Sequence, residues 1–195
     1  MNRKKSEKYN RIIAAATKMF AEKGYYKTRI SEIAREAGIA DGTVYIYFSH
    51  KDQILIALFE EKMQEVLDNM KRQIGLEDDP LAKIERFALT HLRLIEDNKD
   101  MAEIIQVELR QSSKFMKNYH NLKFSQYLDL IEDIIREGQK KNLIKKEVIP
   151  SIAKRAFFGA LDEMSRYWVL SKSHKYDIET AAKQINSYFI HGIKT

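Results

Sequence analysis

The stretch from residue 28 to residue 53 contains two short helical patterns separated by a glycine. In the first pattern, four apolar residues fall at i, i+3, i+4 and i+7, the spacing of one stripe on a helix: Ile30, Ile33, Ala34 and Ala37. Gly38 follows, and glycine permits the backbone conformations of a tight turn. Thr43–Phe48 then forms a second short helix, rich in small and aromatic side chains. Two helices joined in this way are the pattern of a helix-turn-helix, whose second helix enters the major groove of DNA. A pair of apolar helices that is unrelated to DNA binding and joined by a glycine is the alternative.

Basic charge is concentrated in the same part of the chain. Residues 1–53 contain 11 Lys and Arg against 6 Asp and Glu, a net charge of +5, whereas residues 54–195 contain 23 against 22. Basic charge attracts polyphosphate without sequence preference, because binding releases counterions. A solvated basic face that aids solubility is the alternative interpretation. The coincidence of the basic charge with the helix-turn-helix pattern favours DNA as the partner.

Composition predicts one all-α, cytoplasmic protein. The 195 residues include two Pro, seven Gly and no Cys, so disulfides, thiol catalysis and cysteine metal sites are excluded. No apolar run approaches the roughly 20 residues of a membrane span. The N-terminal residues 1–8 are basic and lack the apolar segment of a signal peptide.

Start and stop signals predict about nine helices. Ser6 is expected to cap the first helix and Gly24 to end it. Thr28 is expected to cap the second, and Asp79–Pro80 is a cap-plus-first-turn signal. Asp177 is expected to cap the last helix and Gly192 to end it. Apart from the two in the helix-turn-helix, the predicted ranges are 7–23, 51–74, 80–97, 101–112, 113–137, 150–171 and 178–191. We expect a DNA-binding domain over residues 1–52 and a larger domain over residues 53–195.

The first 55 residues resemble the DNA-binding domain of the tetracycline-repressor (TetR) family. The resemblance lies in Ile12–Phe20, Gly24–Tyr25, Thr28, Ile33–Ala34, Ala37–Gly38, Gly42–Phe48 and Lys51. It implies a two-domain helical homodimer, in which a C-terminal bundle binds a small effector and changes the spacing of two DNA-reading heads. Many members carry Ser or Thr where Ala40 stands, so we expect Asp41 to cap the recognition helix here and not to contact DNA.

A closer resemblance, to fatty-acid-responsive members of the family, covers Ala40–Phe48, Ile54–Met63 and Glu108–Ser112. It implies a transcriptional repressor of fatty-acid degradation genes that binds palindromic operator DNA and is released by long-chain acyl-CoA. A regulator of an efflux operon that senses another hydrophobic compound is the first alternative. A non-catalytic lipid carrier whose basic face meets anionic surfaces is the second.

A recognition helix needs side chains that reach base edges, flanked by donors to phosphate. Thr43 can bond a base or touch a thymine methyl, and Ile46 offers only apolar contact. The resemblance implies phosphate contacts for Tyr47 and Lys51. Thr28 and Arg29 can make the same contacts from the preceding helix. The predicted DNA contacts are Thr28, Arg29, Gly42, Thr43, Ile46, Tyr47 and Lys51. In the alternative interpretation, Thr28 only caps the second helix and Ile46 packs within the protein. Tyr45 and Phe48 are interpreted as core.

An effector cavity would be lined by apolar groups from several helices, with a few polar anchors. The candidates are Leu89, Leu92, Ile105, Leu109, Phe124, Leu128, Phe157 and Leu161. Arg110, with Gln111 beside it, is the candidate for the phosphates of an acyl-CoA. Ordinary core packing is the alternative for the apolar residues, and a surface ion pair with Glu103 or Glu108 is the alternative for Arg110.

The last two predicted helices carry a wider apolar stripe than a helix resting on one neighbour needs. The resemblance implies that they pair with their copies in a four-helix dimer interface, for which the candidates are Phe158, Met164, Trp168, Ile185 and Phe189. Packing within one chain is the alternative.

Catalytic patterns are not found in the sequence. The five His residues are scattered without metal-ligand spacing. Neither a Gly-x-Ser-x-Gly elbow nor a Gly-rich phosphate loop is present. We expect no enzyme, no metal and no cofactor beyond the effector.

Overall fold

The computed structural model describes residues 7–97, 122–171 and 173–195. These residues form eight α-helices, which confirms the all-α prediction. The helices are α1 (Glu7–Lys23), α2 (Ile30–Glu36), α3 (Asp41–Tyr47), α4 (Lys51–Ile74), α5 (Pro80–Asp97), α6 (Leu122–Lys140), α7 (Pro150–Leu170) and α8 (Ile178–Ile193).

The described residues fall into two compact units. The N-terminal unit comprises α1, α2, α3 and the part of α4 up to Lys62, and the C-terminal unit comprises the rest of α4 with α5 to α8. The helix α4 therefore runs from one unit into the other. None of the described helices combines the length and apolar character needed to cross a bilayer.

Most helix bounds follow from local signals. The bounds of α1, α4 and α5 coincide with the predicted ranges. Pro80 opens α5, and the Ala82 amide donates to Asp79 Oδ2 at 3.3 Å. Asp177 caps α8, because its carboxylate accepts from the Thr180 amide at 2.7 Å. The predicted helix 101–112 and the start of the next lie outside the described residues.

Two helices extend past their predicted ends, which were 137 and 191, and each continues through a glycine. The helix α6 continues through Gly138 to Lys140, and this glycine is buried against Ile144, whose Cδ1 would lie 2.5 Å from an added Cβ. The helix α8 continues through Gly192, and the Lys194 amide closes its last turn on the Ile190 carbonyl at 2.9 Å.

Two predicted caps are also wrong. Arg29, not Thr28, occupies the N-cap of α2, since the Thr28 hydroxyl is turned into the unit. Ala40 occupies the N-cap of α3 without a side-chain bond, and Asp41 is its first helical residue.

One apolar core stabilises the helices of the N-terminal unit. Ile12 and Phe20 of α1, Ile33 of α2, Val44 of α3 and Leu58 of α4 are each at most 1% exposed. Burying one such side chain contributes about 1.5–3 kcal/mol. The helices α2 and α3 have only seven residues each, which is too short to be stable alone, so they depend on this packing.

In the C-terminal unit, α5 packs against α6, α7 and α8. Phe87 of α5 is fully buried, with its ring 5.1 Å from that of Tyr127 and 6.3 Å from that of Phe157. Beyond the end of α7, the ring of His174 stacks on that of Trp168 at 4.1 Å and 8°. Aromatic contacts therefore hold both the middle of this unit and the connection between α7 and α8.

A hydrogen-bonded polar cluster crosses this aromatic core. His91 Nδ1 lies 2.7 Å from the Tyr127 hydroxyl, and His91 Nε2 lies 3.2 Å from Ser165 Oγ. The Ser165 hydroxyl donates to the Leu161 carbonyl at 2.9 Å. Ser165 Oγ must then accept from Nε2–H, which leaves Nδ1 to accept from Tyr127. Burial lowers the pKa of His91 to about 4, so the imidazole is neutral.

The buried His91 makes stability depend on pH. Its pKa is lower in the folded chain than the usual 6.5, so the unfolded chain binds the extra proton. The stabilisation is present above pH 6.5 and is lost as pH falls toward 4. We expect a loss of about 3 kcal/mol in the free energy of unfolding. Denaturant titrations at pH 7, 5.5 and 4 measure it. His91→Phe should reduce the pH dependence by that amount, and parallel losses in both chains would contradict the assignment.

Candidate nucleic-acid interface

Helices α2 and α3 are joined by a tight turn. Gly38 has φ +64°, the left-handed region that glycine favours. The Gly38 amide donates to the Arg35 carbonyl at 3.1 Å, and the Ile39 amide donates to the Ala34 carbonyl at 3.0 Å. These two bonds form a Schellman motif, which ends α2 and reverses the chain. The helix-turn-helix predicted from the sequence is therefore present.

The outer face of α3 is open to solvent. Val44 is fully buried, whereas Ile46 is 78% exposed. At 100° per residue, these side chains point about 160° apart. Gly42 is exposed, and an added Cβ there would meet nothing within 4 Å, so backbone approach is unobstructed. Of the other predicted contacts on α3, Thr43 and Tyr47 are half-buried.

Tyr45 was missed by sequence reasoning. Phe48 is buried, as expected, but the placement of Tyr45 in the core is wrong, because its side chain is 55% exposed. The spacing of Val44 and Phe48, at i and i+4, defines the buried stripe and leaves Tyr45 outside it. Tyr45 therefore belongs to the same accessible surface as Ile46.

Two of the predicted contacts are engaged within the unit. Thr28 is 1% exposed, and its hydroxyl lies within donor distance of the Gly24 carbonyl (2.9 Å) and the Met19 carbonyl (3.1 Å). Lys51 Nζ lies 2.6 Å from the carbonyl of Tyr25, 2.8 Å from that of Thr28 and 3.4 Å from that of Tyr26. Both side chains brace the connection between α1 and α2. Their contact with DNA stays a prediction.

Basic side chains surround this motif. Arg29 is exposed at the start of α2, where its amide donates to Glu32 Oε2 at 2.9 Å. A hydrogen bond from Lys23, followed by the one from the Arg29 amide, lowers the pKa of Glu32 below its usual value. The Glu32 carboxylate thus stays ionised, and its negative charge is balanced by these hydrogen-bond donors. The other exposed basic positions near the motif include Lys27, Arg35 and His50.

The described effector candidates lie on α5, α6 and α7, which pack on one another. Leu92, Phe157 and Leu161 are buried, and Leu89, Phe124 and Leu128 are half-buried. The remaining candidates, Ile105, Leu109, Arg110 and Gln111, lie outside the described residues. Sequence reasoning missed the polar cluster of His91, Tyr127 and Ser165. The signal was present, because His91 falls on the apolar stripe formed by Ile84, Phe87 and Ala88.

The predicted dimer residues have partners in their own chain. The Phe158 ring lies 5.3 Å from that of Phe124, and the Phe189 ring stacks on that of Phe157 at 4.4 Å. Trp168 is 8% exposed, and Met164 and Ile185 are half-buried. The exposed apolar and small residues of α7 and α8 are different ones and include Ile152, Ala156, Gly159, Ala160, Leu170 and Tyr188.

The described residues are helical, with an open helix-turn-helix in the N-terminal unit and a separate helical unit later in the chain, and this combination is typical of a DNA-binding regulator. Residues 12–58 match the family described as bacterial regulatory proteins, tetR family. Residues 59–192 match the YsiA-like protein C-terminal region. The chain belongs to the tetR family, which confirms the resemblance seen in the sequence.

Regulators of fatty-acid metabolism are among its relatives. The chain is 34% identical over 191 residues to the fatty acid metabolism regulator protein of Bacillus subtilis, covering 98% of both proteins. Its fold is similar to that of the fatty acid degradation regulator FadR from Bacillus halodurans, at 34% identity and a TM-score of 0.84 over 94% of this chain and 98% of that one. It is also similar to FadR from Bacillus subtilis solved in complex with stearoyl-CoA, at 33% identity and a TM-score of 0.86 over 95% and 99%.

The exposure of Ile46 generates a prediction about base recognition. If Ile46 packs on a thymine methyl, replacing that thymine by deoxyuridine should weaken binding of the natural chain about fourfold, the value of one buried methylene-sized group. For the Ile46→Ala variant, the same change in the DNA should reduce the binding affinity much less. Fluorescence anisotropy of the four combinations measures the coupling. Because Ile46 is exposed, the variant should keep its fold, and equal losses in both chains would refute the contact.

Proposed function

We propose that the protein is a transcriptional repressor that binds a palindromic operator as a homodimer and is released by long-chain acyl-CoA. It would control genes of fatty-acid degradation in the cytoplasm. The observation that carries the proposal is the open recognition helix α3, in a chain similar over 98% of its length to a fatty acid metabolism regulator. Residues 1–52 would form the DNA-binding domain and residues 53–195 the effector and dimer domain.

Operator recognition is assigned to the exposed side of the helix-turn-helix. Gly42, Thr43 and Ile46 would meet the bases, because they lie on the accessible part of α3. Arg29 and Tyr47 would meet phosphates on either side. Thr28 and Lys51 support this surface by holding the connection before α2.

Release requires an effector that binds more tightly to the dimer state in which the two recognition helices are wrongly spaced for the operator. Two half-sites of B-DNA are spaced about 34–36 Å apart, so a dimer with another head spacing cannot fill both. Moving such an equilibrium from 1:99 to 99:1 takes about 5.5 kcal/mol of differential affinity. The helices α5, α6 and α7 supply apolar side chains for a long acyl chain, including Leu92, Phe157 and Leu161.

A gel-shift titration tests the repressor proposal. The probe is duplex DNA from upstream of the gene that encodes this chain and of fatty-acid degradation genes. We expect a shifted band that disappears as palmitoyl-CoA or stearoyl-CoA is added, because only the long acyl chain buries enough apolar surface. Free CoA and octanoyl-CoA are the controls. A shift that resists every acyl-CoA would point to another hydrophobic effector, and the absence of any shift would overturn the DNA-binding role.

Dimerisation is assigned to the exposed face of α7 and α8. Ile152 is 62% and Tyr188 72% exposed, although both side chains are large and apolar. After Ile152 along α7, Ala156, Gly159 and Ala160 are small and exposed, which allows a partner helix to approach closely. Burying this face in a twofold contact would remove the largest apolar side chains that these helices leave in water.

Gly159→Arg should therefore give a monomer. An added Cβ at Gly159 meets nothing within 4 Å, so the variant can fold, but the long cation occupies the space of a partner helix. Light scattering after size exclusion should show the molar mass of one chain, which is half that of the natural dimer. Operator binding should be weaker. Leu76→Arg, at an exposed position outside α7 and α8, is the matched control and should remain dimeric. A dimeric Gly159→Arg would place the interface elsewhere.

A further inference from the structure

Arg11 of α1 contacts the turn of the helix-turn-helix. Its Nη2 donates to the Ala37 carbonyl and, at 2.9 Å, to the Gly38 carbonyl. A guanidinium nitrogen of this kind carries two N–H groups, one for each acceptor. Sequence reasoning counted Arg11 only as part of the basic charge. It also stands one residue ahead of the segment that matches the family.

The turn leaves these two carbonyls in need of a donor. The amides of Gly38 and Ile39 point backward to Arg35 and Ala34 in the Schellman motif. These bonds use the amides of the turn and leave the Ala37 and Gly38 carbonyls to other donors. The Ala37 carbonyl, at the C-cap of α2, also carries the partial negative charge of a helix C-terminus. A cation from α1 satisfies both requirements at once.

Gly38 and Arg11 fit each other closely. An added Cβ on Gly38 would lie 2.6 Å from Arg11 Nη2, well inside contact distance, and Gly38 has a positive φ of +64°. Any other residue at position 38 would therefore displace the guanidinium as well as strain the backbone. The glycine gives this position both the turn and the room for Arg11.

The turn determines where the recognition helix points. Only Ile39 and Ala40 separate Gly38 from the first residue of α3. At the other end of α3, the ring of Tyr9 lies 6.2 Å from that of Tyr47 and 5.2 Å from that of Phe48. The helix α1 thus contacts the turn that precedes α3, through Arg11, and the residues at the far end of α3, through Tyr9.

We propose that Arg11 is a positioning residue for operator recognition, which acts by fixing the turn that sets the angle of α3, without touching DNA. The proposal rests on the DNA-binding function proposed above. Base readout requires side chains held to within about 0.5 Å and 10–20°. Loss of the Arg11 bonds should thus lower affinity for the operator more than affinity for unrelated DNA.

The test separates positioning from phosphate contact. The operator is a duplex that the natural chain selects from a random library, and its scrambled version is the non-specific competitor. For Arg11→Met we expect the ratio of specific to non-specific affinity to fall about tenfold, the cost of one lost base contact. The slope of log affinity against log salt should stay unchanged, whereas loss of a phosphate contact reduces it by about one unit.

Two further variants complete the experiment. Lys18→Met removes the same charge from α1, but Lys18 pairs with Glu36 on the surface and does not touch the turn, so the selectivity should be retained. Gly38→Ala leaves Arg11 in the sequence but displaces its side chain, so it should reproduce the loss of selectivity. Circular dichroism of each variant at the assay temperature confirms that the helices are formed.

The outcomes are distinct. A selective loss in Arg11→Met and Gly38→Ala, with Lys18→Met unaffected, supports the positioning role. Equal losses of both affinities with a shallower salt slope would show a phosphate contact and overturn it, as would unchanged selectivity. If the natural chain selects no duplex, the proposed DNA-binding function itself fails.

Discussion

A helix of seven residues is unstable alone in water, and this constraint governs the N-terminal unit. The helix α3 has that length and exists because Val44 and the following Phe48 are buried in a shared core. Two anchors on one side leave the opposite side unused by the fold. The side chains centred on Ile46 are therefore available for contact with another molecule, while α1, α2 and α4 provide the rigid support that a seven-residue helix cannot provide for itself.

Periodicity and capping chemistry predicted the architecture, because each long helix buries one continuous stripe. They also placed Ile46 and Gly42 on the recognition helix. They could not say which partner a polar side chain takes. Thr28 and Lys51 have the chemistry of phosphate contacts, but they satisfy backbone carbonyls before α2. Such contacts join residues more than 20 positions apart for Lys51, and no local pattern records them.

The C-terminal unit combines aromatic packing with a few directed polar bonds. His91, Tyr127 and Ser165 come from three different helices and satisfy one another within a core of Phe rings. Apolar contacts tolerate sliding, whereas hydrogen bonds fix one register. If the bundle takes up the proposed apolar effector, such a fixed point would return it to one arrangement after the effector leaves. The exposed residues of α7 and α8 do not belong to this cluster. In the proposed function, the effector would contact α5, α6 and α7 and the partner copy would contact α7 and α8, so only α7 would take part in both.

The chain contains a single tryptophan, and it lies in the C-terminal unit with its indole stacked face to face on the imidazole of His174. Intrinsic emission excited at the red edge of protein absorption therefore arises from this one ring. Such light reports on the connection between α7 and α8 and carries no direct signal from the N-terminal unit. The molecule thus has a natural optical probe in the half proposed to take up the effector, while events at the other half need an added dye.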